Sequence, residues 1–94
     1  MKEVRDPIAP DVVKRFLVEK FSRELEALGH NLAAVPDDFD FLLSGAIDSF
    51  GVIEMISAIE TEFNVELDLG ALDAEQLTIL KPLSDYVAVH ARRR

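Results

Sequence analysis

Ninety-four residues with a net charge of −8 and no cysteine make one domain's worth of chain that has no disulfide, thiolate metal site or nucleophilic thiol of its own. An apolar fraction of 49% beside 30% charged residues excludes a disordered composition. No run approaches the roughly 20 apolar residues of a membrane span, and Met1 to Asp11 has no apolar core of the signal-peptide kind, so a cytoplasmic protein with no membrane insertion is expected.

The charge is unevenly placed. Between Arg23 and Lys81 there is no Lys or Arg, whereas thirteen acids fall there, from Glu24 to Glu75; the bases gather at the two ends. A block of that kind repels phosphate backbones, which excludes nucleic acid as a partner, and it favours proteins that present basic patches. Arg92, Arg93 and Arg94 read as a frayed end.

In chain order, Pro10 suits a helix's first turn, and Val13, Phe16, Leu17, Phe21, Leu25 and Leu28 recur at helical spacing before Gly29, the expected stop. From His30 to Ile47 the periodicity lapses into a long loop interrupted by Pro36, Asp37, Asp38 and Asp40, with Leu32, Phe39, Phe41, Leu42 and Leu43 available to pin it. Asp48 then caps a second helix from about Ser49 to Phe63, with Val52, Ile56, Ile59 and Phe63 on its apolar stripe and Asn64 at its close. Val65 to Asp68 alternates apolar with acidic but lacks a partner strand, so it reads as extended loop. A short helical turn is expected around Asp73 to Leu77. Pro82 opens a last helix in which Leu83, Tyr86, Val87 and His90 share a face, His90 as a packed residue. The expected fold is therefore all-α: a small antiparallel bundle of three main helices plus one short helix, with a long first loop, in one domain over residues 1–94 with its core at about 12–90.

Chemistry concentrates in Ser44 to Ile56. There a primary hydroxyl, Ser49, stands in the first turn of a helix at the end of a long loop, open to another enzyme and beside free N–H groups that favour a phosphodiester. On a wheel at 100° per residue, Phe50 falls with Glu54, Ser57 and Thr61, nearly opposite the apolar stripe, and so predicts an exposed ring beside Ser49. The competing placement for Phe50 is a staple contact back onto Leu42 or Leu43.

At this segment the sequence resembles the acyl carrier protein family, whose hallmark is Asp-Ser-Leu at the start of the second helix; here it is Asp48-Ser49-Phe50. The resemblance continues through Glu54 and Met55, Glu60 and Glu62, and Phe63 to Leu67, and Pro82-Leu83 with Tyr86-Val87 is similar to the family's last helix. It implies that Ser49 receives 4'-phosphopantetheine from coenzyme A through a separate phosphopantetheinyl transferase. The arm's thiol would then carry acyl groups as thioesters. The chain itself would be no enzyme, with no catalytic residue and no metal of its own, and a monomer. Partners are expected to be the transferase and acyl- or aminoacyl-loading and transferring enzymes, docking on Phe50, Glu54, Glu60 and Glu62. Phe50 replaces the usual leucine, and Gly51 stands where fatty-acid carriers generally have an acid; a glycine there also occurs in D-alanyl and other specialised carriers, which keeps an aminoacyl carrier as the alternative.

Three rival functions are weaker. A hydrolase elbow, Gly-x-Ser-x-Gly, fails at Ile47. An EF-hand starting at Asp38 and Asp40 meets Leu42 and Leu43 where an oxygen ligand and a turn glycine are needed. An unmodified acidic adaptor would carry no covalent arm.

Overall fold

The computed structural model describes residues 8–68, 70, 73 and 75–93. The described residues form four α-helices, α1 (Pro10–Lys20), α2 (Ser22–Ala27), α3 (Ser49–Phe63) and α4 (Leu80–His90), with a short 3-10 turn at Leu32–Ala34. They make the small helical bundle expected, with α1 and α4 in the most extensive helix–helix contact.

The first helical stretch is divided. Phe21, at φ −106 and ψ 27, departs from helical geometry between α1 and α2, yet Phe21 N–H still donates to Leu17 O and Leu25 N–H to Phe21 O. The hydrogen-bond ladder thus crosses the offset, and Val13, Leu17, Phe21 and Leu25 all remain buried on one side. The stretch ends in a Schellman motif: Gly29 takes φ +88, its N–H donates to Glu26 O, and His30 N–H donates to Leu25 O. Glycine meets no steric penalty at that φ.

The long loop is fastened from inside and from one side. Phe39 and Phe41 enter the core, where Phe41 packs on Phe21 at 5.4 Å and Phe39 lies edge-on to His30 at 4.9 Å. Opposite, the chain leading into α4 lies antiparallel to the loop: Phe41 N–H donates to Thr78 O, Leu80 N–H to Phe39 O and Lys81 N–H to Asp37 O. Asp37 also meets the Lys14 ammonium of α1, a hydrogen bond that lowers its carboxyl pKa. Residues 75–78 form hydrogen-bonded turns; the short helix expected around Asp73 to Leu77 lies partly outside the described residues. Helix α4 begins at Leu80, with Pro82 as its third residue, inside the first turn where a missing N–H costs nothing.

Three expectations are corrected near the end of the chain. Val65–Glu66 is not free loop, and Arg92–Arg93 is not frayed: as β1 and β2 they pair antiparallel, with Val65 opposite Arg93 and Glu66 opposite Arg92. The partner strand comes from beyond α4, too far away in sequence to be inferred from the local alternation. Val65 is fully buried under this ribbon, and the Tyr86 hydroxyl donates to Asp68 O beside it. His90, expected to pack inside, is exposed and stacks on the Tyr86 ring at 4.6 Å. Among the described residues no helix is long and apolar enough to cross a membrane.

Candidate functional site

The site is the junction where the long loop becomes α3. Asp40 organises the approach: one carboxylate oxygen, Oδ1, accepts from Leu42 N–H at 2.9 Å, Leu43 N–H at 3.0 Å and the Thr78 hydroxyl at 2.8 Å. The chain then turns through Gly45, at φ +83, and Ile47 N–H returns to Phe41 O. These bonds hold the loop in a tight coil that leads directly into the helix.

Asp48 sits at the N-cap in extended geometry, its Oδ1 accepting from Gly51 N–H at 2.8 Å, while its carbonyl receives Val52 N–H. A cap of this kind satisfies one of the orphan donors of the first turn. The N–H groups of Ser49 and Phe50 stand ahead of the intrahelical ladder, with the positive end of the helix around them. Ser49 is the first residue of α3 and is exposed, and its hydroxyl has no partner among the described residues. A phosphodiester on Ser49 Oγ fits this setting, since the oxygen is accessible, unengaged and next to donors that stabilise an anion.

Helix α3 ends at Asn64, whose left-handed φ of 54 closes the last turn. Along it, Met55, Ile56 and Ile59 are buried, with Val52 and Phe63 half-buried, so the core stripe is wider than the sequence stripe by Met55. Phe50, Glu54, Ser57 and Thr61 are all exposed. Phe50 is 69% exposed, which rules out the staple contact onto Leu42 or Leu43. Ile53, to which the sequence reading assigns no place, is 63% exposed one turn along from Phe50, and Leu43, expected to pin the loop, is instead 86% exposed on the coil before α3, the pinning being done by Phe39 and Phe41. The signal for Ile53 was available, since it lies off the stripe of Val52, Ile56 and Ile59.

The acidic residues of α3 divide into two kinds. Glu54 and Glu62 are exposed and line a groove against Phe16 and Lys20 of α1, with Ile53, Ser57 and Thr61. Glu60 is half-buried, and its carboxylate accepts from Leu67 N–H at 2.9 Å, tying the segment after β1 to α3. The described residues contain no group of three or more His, Cys, Asp or Glu side chains able to hold a metal. No histidine lies in the hydrogen-bonding set of Ser49: His30 packs on Phe39 and His90 on Tyr86.

A capped, exposed serine at the head of α3 in a small helical bundle is an arrangement that a carrier domain, modified by another protein at an open hydroxyl, would need. Comparison with known families agrees: the chain matches the model described as the phosphopantetheine attachment site over residues 15–86, from within α1 to within α4, and it belongs to that family. Members carry 4'-phosphopantetheine covalently, and such carrier domains are typically not catalytic. No solved structure matches the chain.

Proposed function

We propose that this protein is an acyl carrier protein whose Ser49 bears 4'-phosphopantetheine. The observation that carries the assignment is the exposed Ser49 hydroxyl at the first position of α3, without a partner among the described residues and following the Asp48 cap. In the modification, Ser49 Oγ forms a bond to the pantetheine-side phosphorus of coenzyme A, the pyrophosphate P–O bond breaks, adenosine 3',5'-bisphosphate leaves, and the serine proton passes to a base of the transferase. Asp48 holds the backbone on which Ser49 sits, and the first-turn N–H groups favour the resulting phosphodiester. When bound, the arm supplies the thiol that the cysteine-free chain lacks and on which acyl groups ride as thioesters. The divalent metal of the transfer reaction belongs to the transferase.

The docking face has an apolar centre and an acidic flank. Phe50 and Ile53, both exposed, follow Ser49 on α3, while Glu54 and Glu62 extend along the helix without an ion pair among the described residues. Partners with a basic patch and an apolar pocket suit this face, the charges steering encounter and the rings anchoring it. Glu60 contributes its charge to the same helix while holding Leu67. Gly51 keeps an aminoacyl or D-alanyl-type cargo as the second reading.

Incubation with coenzyme A, magnesium and a broad-specificity phosphopantetheinyl transferase tests the assignment by intact mass. One arm is expected on the parent chain and none on Ser49→Ala, with both showing the same helical circular dichroism. An arm on the alanine variant, or none on the parent, refutes it.

A further inference from the structure

Gly51 is an anomaly for a helix. It occupies the third position of α3 with no left-handed φ to require glycine, and a helix-interior glycine is less stable than alanine. The space around it supplies the reason. A Cβ built at Gly51 would lie 2.9 Å from Ile47 Cβ, 3.5 Å from Ile47 Cγ2 and 3.4 Å from Asp48 Oδ1. Ile47 Cβ is fixed to the backbone just ahead of the cap and cannot swing away as the tip of a long side chain would. Ile47 is itself half-buried, packs against the core and is held by its N–H bond to Phe41 O. The two residues that a side chain at position 51 would push, Ile47 and Asp48, are the two that immediately precede Ser49.

We infer that Gly51 is a positioning residue for the modification of Ser49: the missing side chain lets Ile47 close over the first turn of α3, and this contact sets where the Asp48 cap holds the serine. The inference rests on the proposed attachment at Ser49 and adds a residue that touches neither the arm nor the hydroxyl. It also accounts for a glycine where helix propensity alone would favour a residue with a side chain.

The test is a double-mutant cycle over Gly51→Ala, Ile47→Gly and Ile47→Gly/Gly51→Ala. Glycine at 47 is required, because Ile47→Ala would retain the Cβ that clashes. Arm transfer is followed by intact mass to give kcat/KM, beside circular dichroism melts and amide exchange of residue 51. Gly51→Ala should lower kcat/KM about tenfold or more, as small misplacements of a reacting group do. On the Ile47→Gly background the same change should cost less than about twofold, the mark of a direct contact. A Gly51→Ala chain modified at the parent rate, or one with the same penalty on both backgrounds, overturns the inference. Should Gly51→Ala fail to fold, recovery of folding and modification in the double variant upholds the contact, and failure to recover overturns it. A parent chain that takes no arm refutes the attachment reading instead. The positioning contact is then judged on the residue 51 amide, whose exchange should quicken in Gly51→Ala and slow again in the double variant; unchanged exchange overturns it.

Discussion

Asp40 and Thr78 lie 38 positions apart and are joined by a 2.8 Å hydrogen bond from the Thr78 hydroxyl to Asp40 Oδ1. The same oxygen receives the N–H groups of Leu42 and Leu43, so one carboxylate both coils the loop ahead of Ser49 and ties that loop to the chain entering α4. Hydrogen bonds to a charged acceptor contribute about 1.5–3 kcal/mol. Asp40→Ala is therefore expected to lower the unfolding free energy by about 2–3 kcal/mol, and Asp40→Asn, which keeps an accepting oxygen, by less. Urea denaturation measures both; a loss below about 0.5 kcal/mol for the alanine variant would show that the lock contributes nothing.

Phe50 separates docking from folding. Its ring is mostly in solvent, so truncation removes little core. Phe50→Ala should weaken partner binding by about 1–3 kcal/mol while the unfolding free energy changes by less than about 1 kcal/mol. Titration calorimetry against the transferase, paired with a denaturation curve, decides it: unaltered affinity removes Phe50 from the docking face.

Glu54 and Glu60 are predicted to part company despite sharing a helix and a charge. Glu60→Ala frees a backbone N–H at Leu67 and should cost about 1 kcal/mol of stability, whereas Glu54→Ala should cost almost none. Charge reversal at Glu54 should instead slow association with the transferase and flatten its salt dependence. Equal stability losses for the two alanine variants would contradict this division.

Tyr86 sets an alkaline limit. Burial raises its phenol pKa above the usual 10.0, the Asp68 charge raises it further, and the neutral hydroxyl donates to Asp68 O. A group whose folded pKa is raised contributes stability that is complete below its unfolded value and disappears as pH climbs through the folded one. Stability should thus fall as the pH rises past about 10, and Tyr86→Phe should fall less over the same interval. Parallel urea curves from about pH 9 to about pH 11 would expose the difference, and identical pH profiles would remove Tyr86 as the cause.

A net charge of −8 with a base-free interval from Arg23 to Lys81 predicts that moderate salt raises the melting temperature, because screening relieves repulsion among the acids. A melting point that stays level between low salt and about 0.2 M sodium chloride would count against a self-repelling surface.

What the sequence by itself determined is what short-range rules control. Asp48 as a cap, the span Ser49–Phe63, Asn64 as its stop and Gly29 as the end of the first helical stretch each depend on residues within one or two turns. The exposure of Phe50 followed from helical angle alone. Tertiary structure decided whatever needed a partner distant in the chain. Val65–Glu66 became a strand only because Arg92–Arg93 came back beside it, and Glu60 turned from a surface charge into a hydrogen-bond acceptor once Leu67 folded onto α3. Asp40 gained its role from Thr78, whereas the close approach of Ile47 to Gly51 is local in the chain, four positions apart, and shows only in the built geometry of the cap. The physical reason is common to the strand, Glu60 and Asp40: a capping or periodic preference is written into neighbouring backbone geometry, whereas a paired strand and a shared carboxylate exist only after the core has brought separate segments into contact.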